Sequence, residues 1–312
     1  MLRDVPDPVT RAGEVLLRVR ATAVNRADIM QRRGLYPPPP GASEILGLEA
    51  VGEVLEVAPG SETALRPGDR VMCLVGGGGY AELVAVPADN CIRVPDDMPW
   101  AEAAAIPEVF ITAFQGLVRL GGLQEGDVAL VHAIASGVGT AAAQICRAVG
   151  ARCIGTSRTP ERAEAGVPWG AEPLAAGDDG FAARVREMTD GHGADVILDL
   201  VGARYLRDNV ACLAREGRIV LTGLVGGRKG ELDMGALLAA QGTIVGSTLR
   251  GRSTAEKAAI MSEFAAWAMP LFADGTLAPV IDRVMPLDDV AAAHRHVEDD
   301  AAVGKVVLLV GG

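Results

Sequence analysis

Asp127-Val-Ala-Leu-Val-His-Ala133 is an apolar run of strand length, and it passes directly into Ile134-Ala-Ser-Gly-Val-Gly-Thr140. Ala142, Ile145, Cys146 and Val149 then recur at helical spacing. A strand that enters a turn with so little side chain and leaves it as a helix constrains the fold more than any other stretch of this chain. Gly137 permits the tight turn, Gly139 lets a pyrophosphate approach the backbone, and Ala142 lets the helix pack close to the strand. The free N–H groups of the helix N-terminus then face an anion. Ser136, Gly137, Val138 and Gly139 are therefore the expected pyrophosphate loop.

With 312 residues the chain is long enough for two domains, and at 49% hydrophobic residues it can bury large cores. Residues 14 to 24 alternate like a strand, and 50 to 57, 68 to 75 and 80 to 86 are short strands punctuated by glycine and proline. Gly34-Leu-Tyr-Pro-Pro-Pro-Pro-Gly41 reads as an extended loop, because proline fixes φ and removes donors. Beyond Pro107 strands and helices alternate. Strands are expected at 127–133, 152–156, 194–199, 217–222 and 243–248. Helices are expected at 101–120, 138–149, 161–166, 179–189, 204–214 and 234–240. Such alternation predicts an α/β architecture, a doubly wound parallel sheet of the Rossmann kind. A longer helix is expected over 253–275, and β texture returns from Val280 to Val310 around a short helix at 288–298. The chain reads as a nucleotide domain, 110–252, inserted between two parts of a β-rich domain, 1–109 and 253–312, with the cleft between them the default active site.

The second strand of the nucleotide domain selects the cofactor. An NAD-specific fold carries an Asp or Glu about twenty residues past the glycines. Here Arg152-Cys-Ile-Gly-Thr156 runs into Ser157, Arg158 and Thr159, with no acid at its tip. Arg158 and the hydroxyls suit a 2′-phosphate, with Arg162 a second contact, so NADPH is expected over NADH. The alternative is that Arg158 is a solvated charge ahead of a helix. S-adenosylmethionine is disfavoured by the same missing acid. A formal net charge of −11 argues against nucleic-acid and anionic-membrane binding. No apolar run is long enough to span a membrane, and no apolar leader follows Met1, so a cytoplasmic protein is expected. Five scattered cysteines form no C-x-x-C pair and read as free thiols.

Six stretches together resemble the zinc-independent quinone oxidoreductase, or zeta-crystallin-like, branch of the medium-chain dehydrogenase/reductase superfamily. They are NRADIMQRRGLYPPPPGASEILGLEAVGEV, AAAIPEVFITAFQGL, HAIASGVGTAAAQ, GADVILDLVG, LTGLVGG and GKVVLLV. The first is most similar to the tumour-suppressor-induced quinone oxidoreductase type. The resemblance implies a GroES-like catalytic domain around the Rossmann domain. It also implies that zinc is absent. Gly47-Leu48-Glu49 has leucine where a zinc-binding relative has histidine, the early cysteine slot falls within Asn25-Arg-Ala-Asp28, and the four-cysteine lobe is missing. Cofactor contacts are implied for Thr112 and for Gly202, which ends its strand. They are also implied for Gly223, Leu224 and Val225, for Thr248, Leu249 and Arg250, and for Lys305. The segment Gly242 to Thr248 is a candidate edge strand, and in relatives that edge pairs across a two-fold axis, which implies a homodimer. Two departures stand out: relatives carry a strand ahead of LRDVPDP, whose absence would leave a strand edge unpaired, and they carry a tyrosine where this chain reads GAEPLAAGDD.

Without a metal an alkoxide has no Lewis acid, whereas a quinone or activated alkene is already electrophilic. The expected activity is hydride transfer from NADPH to a quinone. Tyr36 is the candidate proton or hydrogen-bond donor in the substrate cleft, against a loop tyrosine packed on the prolines. Asn25 is the candidate for the carboxamide or the substrate carbonyl, against a turn-forming asparagine. His132 is read as a core hydrogen-bonding residue and His192 as part of a turn. His294 and His296 are read as surface residues, and Asp195 and Asp199 as strand-end caps. The rival activities are reduction of enal, enone or enoyl double bonds, and NADPH binding without catalysis in a crystallin-like protein.

Overall fold

The computed structural model describes residues 2–177 and 180–311, and these form two compact units. The first comprises residues up to Ile111, Leu249–Pro270 and the chain from Pro279 onward. Its strands are β1 (Glu14–Val24), β2 (Glu49–Val57), β3 (Arg70–Leu74), β4 (Leu83–Pro87) and β5 (Cys91–Arg93), joined by Ile281–Pro286 and Lys305–Leu309. The sheet runs Ile281–Pro286, Lys305–Leu309, β1, β2, β3, β5, with β4 paired to β1 off that path. β1 alternates as its sequence predicts. Val15, Leu17 and Val19 enter a core with Ala50, Val54, Val71, Val84 and Val86, while Arg18 points to solvent. Each such aliphatic burial contributes roughly 1.5–3 kcal/mol.

Two local features between Arg26 and Leu120 depart from the sequence expectation. The helix Arg26–Arg32 has no apolar periodicity and is made by its cap. Asn25 N donates to Asp28 Oδ2 at 2.8 Å, and Asp28 N donates back to the Asn25 carbonyl at 3.0 Å. The single helix expected over 101–120 is instead Trp100–Ala104 followed by Pro107–Phe114, continued by a wider-wound segment Gln115–Leu120. Pro107 explains the break, because the residue before a proline is driven out of the α region and proline itself suits a helix start.

The second unit, Thr112–Thr248 with Leu271–Ala278, carries β6 (Val128–Val131), β7 (Arg152–Ser157), β8 (Ala171–Ala175), β9 (Ala194–Asp199), β10 (Leu213–Leu221) and β11 (Thr243–Gly246). Every ladder is parallel and the order is β11-β10-β9-β6-β7-β8, the doubly wound arrangement predicted from the βα alternation. The strand order reverses between β6 and β9, so the carboxyl ends of those two strands define the crevice where ligands bind in such sheets. β8 escaped the sequence reading because it contains Pro173 and no β-branched residue; as an edge strand it tolerates both. The helix expected from 179 is observed as Ala182–Met188; residues 178 and 179 lie outside the described residues. Leu271–Ala278 rejoins this unit through side chains of the helix Gly137–Val149. Arg147 Nη2 donates to the Thr276 carbonyl at 2.8 Å, and Gln144 Oε1 accepts from Ala278 N at 2.8 Å. Among the described residues no helix is long and apolar enough to cross a membrane.

Candidate active site

At the end of β6 the chain turns through Ala133, which takes the positive φ of 53°, and Ser136 caps the helix Gly137–Val149. Ser136 Oγ accepts from Gly139 N at 3.1 Å. The amides of Gly137 and Val138 have no acceptor within the helix. Gly139 serves differently from the sequence expectation. A Cβ there would lie 2.4 Å from the Ala133 carbonyl oxygen and 2.5 Å from that of Ile134, so its bareness lets the helix press against the turn's own backbone. Gly223 is alike, its absent Cβ 2.4 Å from the Leu200 carbonyl oxygen, and Gly202 adopts a φ of 86° against Gly227. These glycines shape the carboxyl edge of the sheet by close backbone approach.

A buried polar network holds that edge. His132 is wholly buried, with Nδ1 2.7 Å from Thr156 Oγ1 and Nε2 2.7 Å from Asn209 Oδ1. Asn209 Nδ2 donates to Asp199 Oδ2 at 3.0 Å, and Asp199 Oδ1 accepts from the amides of Val201 and Gly202. Because Asn209 Oδ1 only accepts, Nε2 carries the imidazole proton; burial holds the His132 pKa below the ordinary range. His132 and Asp199 are thus structural, as the sequence reading held. Asp195 caps the other end of the sheet, its Oδ2 accepting from Val128 N at 2.8 Å.

At the tip of β7, Ser157 is buried, Arg158 is exposed, and Arg162 stands half-buried on the short helix Pro160–Ala163. No carboxylate ends this strand. Thr112 is nearly buried, Leu224 and Val225 are 44% and 66% exposed beyond β10, and Thr248 is exposed at the end of the unit.

The first unit contains a buried charge cluster that the sequence reading assembled only in part. Lys305 is 3% exposed and Glu49 is wholly buried. Lys305 Nζ donates to Glu49 Oε1 at 2.8 Å, to Asn25 Oδ1 at 2.7 Å and to the Val24 carbonyl at 3.3 Å. Its three N–H groups are used, so the expected cofactor contact from Lys305 has no donor to make it. Asn25 Nδ2 donates to Glu49 Oε1 at 2.8 Å, which commits the Asn25 side chain to this cluster while its backbone makes the helix cap. Glu49 Oε2 accepts from Glu108 N at 2.8 Å, at the start of the helix Pro107–Phe114. Breaking such a buried pair by removing one partner costs about 3–5 kcal/mol. Half-buried Glu108 faces Glu49, and desolvation together with that like charge raises its pKa to about 8.

Asp28 is the second buried carboxylate. It accepts from Asn25 N, from Gly47 N at 3.0 Å and from Tyr80 Oη at 3.1 Å; desolvation outweighs these bonds and raises its pKa to about 6. Tyr80 Oη lies 3.2 Å from His294 Nε2, and Arg32 Nη1 lies 3.3 Å from His294 Nδ1. His294, expected on the surface, is 2% exposed. The correction follows from its short amphipathic helix, Val290–Glu298, which turns Ala293 and His294 inward together.

Zinc does not fit this unit. Leu48 offers no donor, and the oxygens of Glu49 and Asp28 are filled by Lys305, Asn25, Tyr80 and backbone amides. Cys73 Sγ, wholly buried, donates to the Ala50 carbonyl. Among the described residues no group of three or more His, Cys, Asp or Glu is arranged to hold a metal ion. A dinucleotide does fit the second unit: a helix of 13 residues presents its N-terminus beside a tight turn, at the crevice where the strand order reverses.

Tyr36 lies in the same unit as the buried cluster, half-buried, with the Arg250 guanidinium carbon 5.2 Å from its ring centroid. Arg250 and Leu249 are buried at 5% and 7% exposure. Glu108 and Tyr80 carried no sequence signal beyond their residue type, and Arg250 was expected only as a cofactor contact. Glu49 had been read only as a neighbour of the missing histidine.

A model described as a zinc-binding dehydrogenase matches residues 137–266, and one described as an alcohol dehydrogenase GroES-like domain matches residues 11–96. The chain is 30% identical over 311 residues to the quinone oxidoreductase of Homo sapiens, covering 98% of this chain and 92% of that protein. It is 33% identical over 301 residues to polyketide synthase GfsB of Streptomyces halstedii, of which it spans only 5%. Among solved structures, mycobacterial Rv1454c complexed with NADPH superimposes with a TM-score of 0.88 at 33% identity, over 98% of this chain and 94% of that one. A Pseudomonas syringae quinone oxidoreductase gives a TM-score of 0.87 at 29% identity over the same shares.

Proposed function

The chain belongs to the medium-chain dehydrogenase/reductase superfamily, and from that premise we propose that it is an NADPH-dependent quinone oxidoreductase that works without a metal. The observation that carries this reading is the carboxyl edge of the parallel sheet: a capped glycine turn at a helix N-terminus beside a second strand that ends in Ser157 and Arg158 with no acid. That edge suits a pyrophosphate and a 2′-phosphate, and the chain as a whole is 33% identical to mycobacterial Rv1454c, a protein solved with NADPH.

NADPH, when bound, supplies a hydride to an electrophilic acceptor. Gly137 and Val138 hold the pyrophosphate by their amides, with Ser136 and Gly139 shaping the turn. Ser157, Arg158 and Arg162 hold the 2′-phosphate. Thr112, Gly202, Gly223, Leu224, Val225, Thr248 and Leu249 border the cofactor. Tyr36 is the donor to the acceptor oxygen: desolvation and the charge of Glu108 raise its pKa, so the phenol keeps its proton at neutral pH. Asn25 acts through Glu49 and Lys305, fixing the start of the helix that bears Glu108 and Thr112.

The same reading makes the protein a homodimer through β11, an edge strand that among the described residues pairs only with β10, near Met234 and Leu238, which are 74% and 80% exposed. Five free cysteines suit a reducing, cytoplasmic setting, and a formal net charge of −11 argues against a nucleic-acid partner. A second reading, reduction of an activated double bond, uses the same hydride transfer to an electrophilic acceptor and the same cofactor site.

The two are separated by one competition. Purified protein with NADPH is given an ortho-quinone and an enal together, and the products are identified. Predominant hydroquinone supports the quinone reading. Predominant saturated aldehyde moves the protein to double-bond reduction with the cofactor assignment intact.

A further inference from the structure

Arg250 is a buried cation whose charge is not balanced by a carboxylate bonded to it. Its guanidinium donates instead to three separate segments. Nε reaches the Gly76 carbonyl at 2.8 Å, Nη1 the Tyr36 carbonyl at 3.1 Å, and Nη2 the Gln31 side-chain oxygen at 2.5 Å. Gln31 belongs to the helix Arg26–Arg32 and itself donates to the Glu44 carbonyl at 3.0 Å. One side chain therefore ties that helix, the proline loop around Tyr36 and the glycine loop after β3 into a single body.

The glycine loop is built for this contact. A Cβ on Gly77 would lie 2.2 Å from the Ser43 carbonyl oxygen, and one on Gly79 would lie 2.3 Å from that of Glu49. Backbone is pressed against backbone there, with no room for side chains, and the arginine closes the remaining side. The planar fork of a guanidinium spreads its donors over three nitrogens and so spans acceptors on three separate segments, which the single nitrogen of an ammonium is too compact to do.

Tyr36 is held by its own carbonyl and by the cation near its ring. Among the described residues nothing bonds its hydroxyl. The part of the side chain that can act is thus left free, while the backbone that carries it is locked.

We infer that Arg250 is a positioning residue for the acceptor, acting through Tyr36: it fixes the proline loop so that the phenol hydroxyl is presented to the oxygen of a planar carbonyl acceptor. This rests on the reductase reading and departs from the expectation that Arg250 touches the cofactor. Of the five N–H groups of an arginine, three are already engaged with the protein.

The test compares Arg250→Met, Arg250→Lys, Tyr36→Phe and the double variant Arg250→Met with Tyr36→Phe. It measures KM and kcat for an ortho-quinone, NADPH affinity by fluorescence titration, and amide hydrogen exchange of residues 34–41 and 76–80. Arg250→Met raises the acceptor KM by about 10- to 100-fold, the scale expected for a misplaced positioning group. It leaves NADPH affinity within about twofold, well under one decade of binding, and it speeds exchange in both loops. Arg250→Lys, which preserves the charge and guards against a folding artefact, falls between the two. The double variant loses no more than Tyr36→Phe alone, because Arg250 acts on the acceptor only through the hydroxyl that Tyr36→Phe already removes. Weakened NADPH binding with an unchanged acceptor KM would overturn the inference and return Arg250 to the cofactor. Additive losses in the double variant would overturn it too. If the wild-type protein reduces no acceptor, the reductase reading fails by itself; exchange still judges the latch, and unchanged exchange in both loops overturns it.

Discussion

At the scale of single residues, the chain places charge where solvent cannot reach it and then satisfies it. His294 shows how the arrangement sets a protonation state. Arg32 only donates, so His294 Nδ1 must accept, and Nε2–H then donates to the Tyr80 oxygen, whose own O–H points to Asp28. Desolvation, and secondarily the charge of Arg32, lowers the His294 pKa to about 4. Unfolded histidine titrates near 6.5, so between these values the unfolded chain takes up a proton that the folded chain refuses. The stability that neutral His294 contributes is present above pH 6.5 and is lost as pH falls toward 4, up to about 3 kcal/mol. The checking experiment is urea unfolding of wild type and His294→Gln at pH 7, 5.5 and 4.5. The wild-type advantage shrinks with each step down; an advantage that grows on acidification would contradict the network. Little of this was visible in the sequence. Residue type told that Glu49, Asp28 and Lys305 are charged, but their burial is a property of strands distant in sequence, and only the fold brings Lys305 against Glu49.

At the scale of elements, the strands and helices of the parallel sheet were legible because their periods are strong and their turns carry glycine. β6, its glycine turn and the helix Gly137–Val149 lie within two residues of where the pattern put them. The elements that escaped are those specified by something other than periodicity: a capping box for Arg26–Arg32, an edge position for β8, and a proline for the break before Pro107. The edge strand β11 carries the prediction that belongs at this scale. Its neighbouring helix Met234–Ala240 has no buried residue and displays Met234 and Leu238 to solvent. If a second copy covers this edge, Leu238→Glu converts the wild-type dimer to a monomer in light scattering at micromolar concentration, with the fold retained. A wild-type monomer under the same conditions would contradict the dimer.

At the scale of the whole molecule, function was more legible than mechanism. The glycine turn and the acid-free tip of β7 indicate a dinucleotide with a 2′-phosphate from the sequence, and Leu48 removes a zinc ligand at a glance. The division of labour inside the first unit was not legible. Asn25 and Lys305, expected at the ligand, are spent on Glu49, while Arg250 is spent on the Tyr36 loop. The protein's own ammonium, Lys305, stands against Glu49, and the proposed chemistry rests on positioning and on an acceptor that is already electrophilic. The most direct measurement is steady-state oxidation of NADPH by an ortho-quinone, with chelator-treated protein, beside NADH and beside Arg158→Ala. The account predicts turnover without metal, a clear preference for NADPH, and loss of that preference in Arg158→Ala with NADH turnover unchanged. Activity that vanishes with chelator, or equal use of NADH by the wild-type protein, would contradict it.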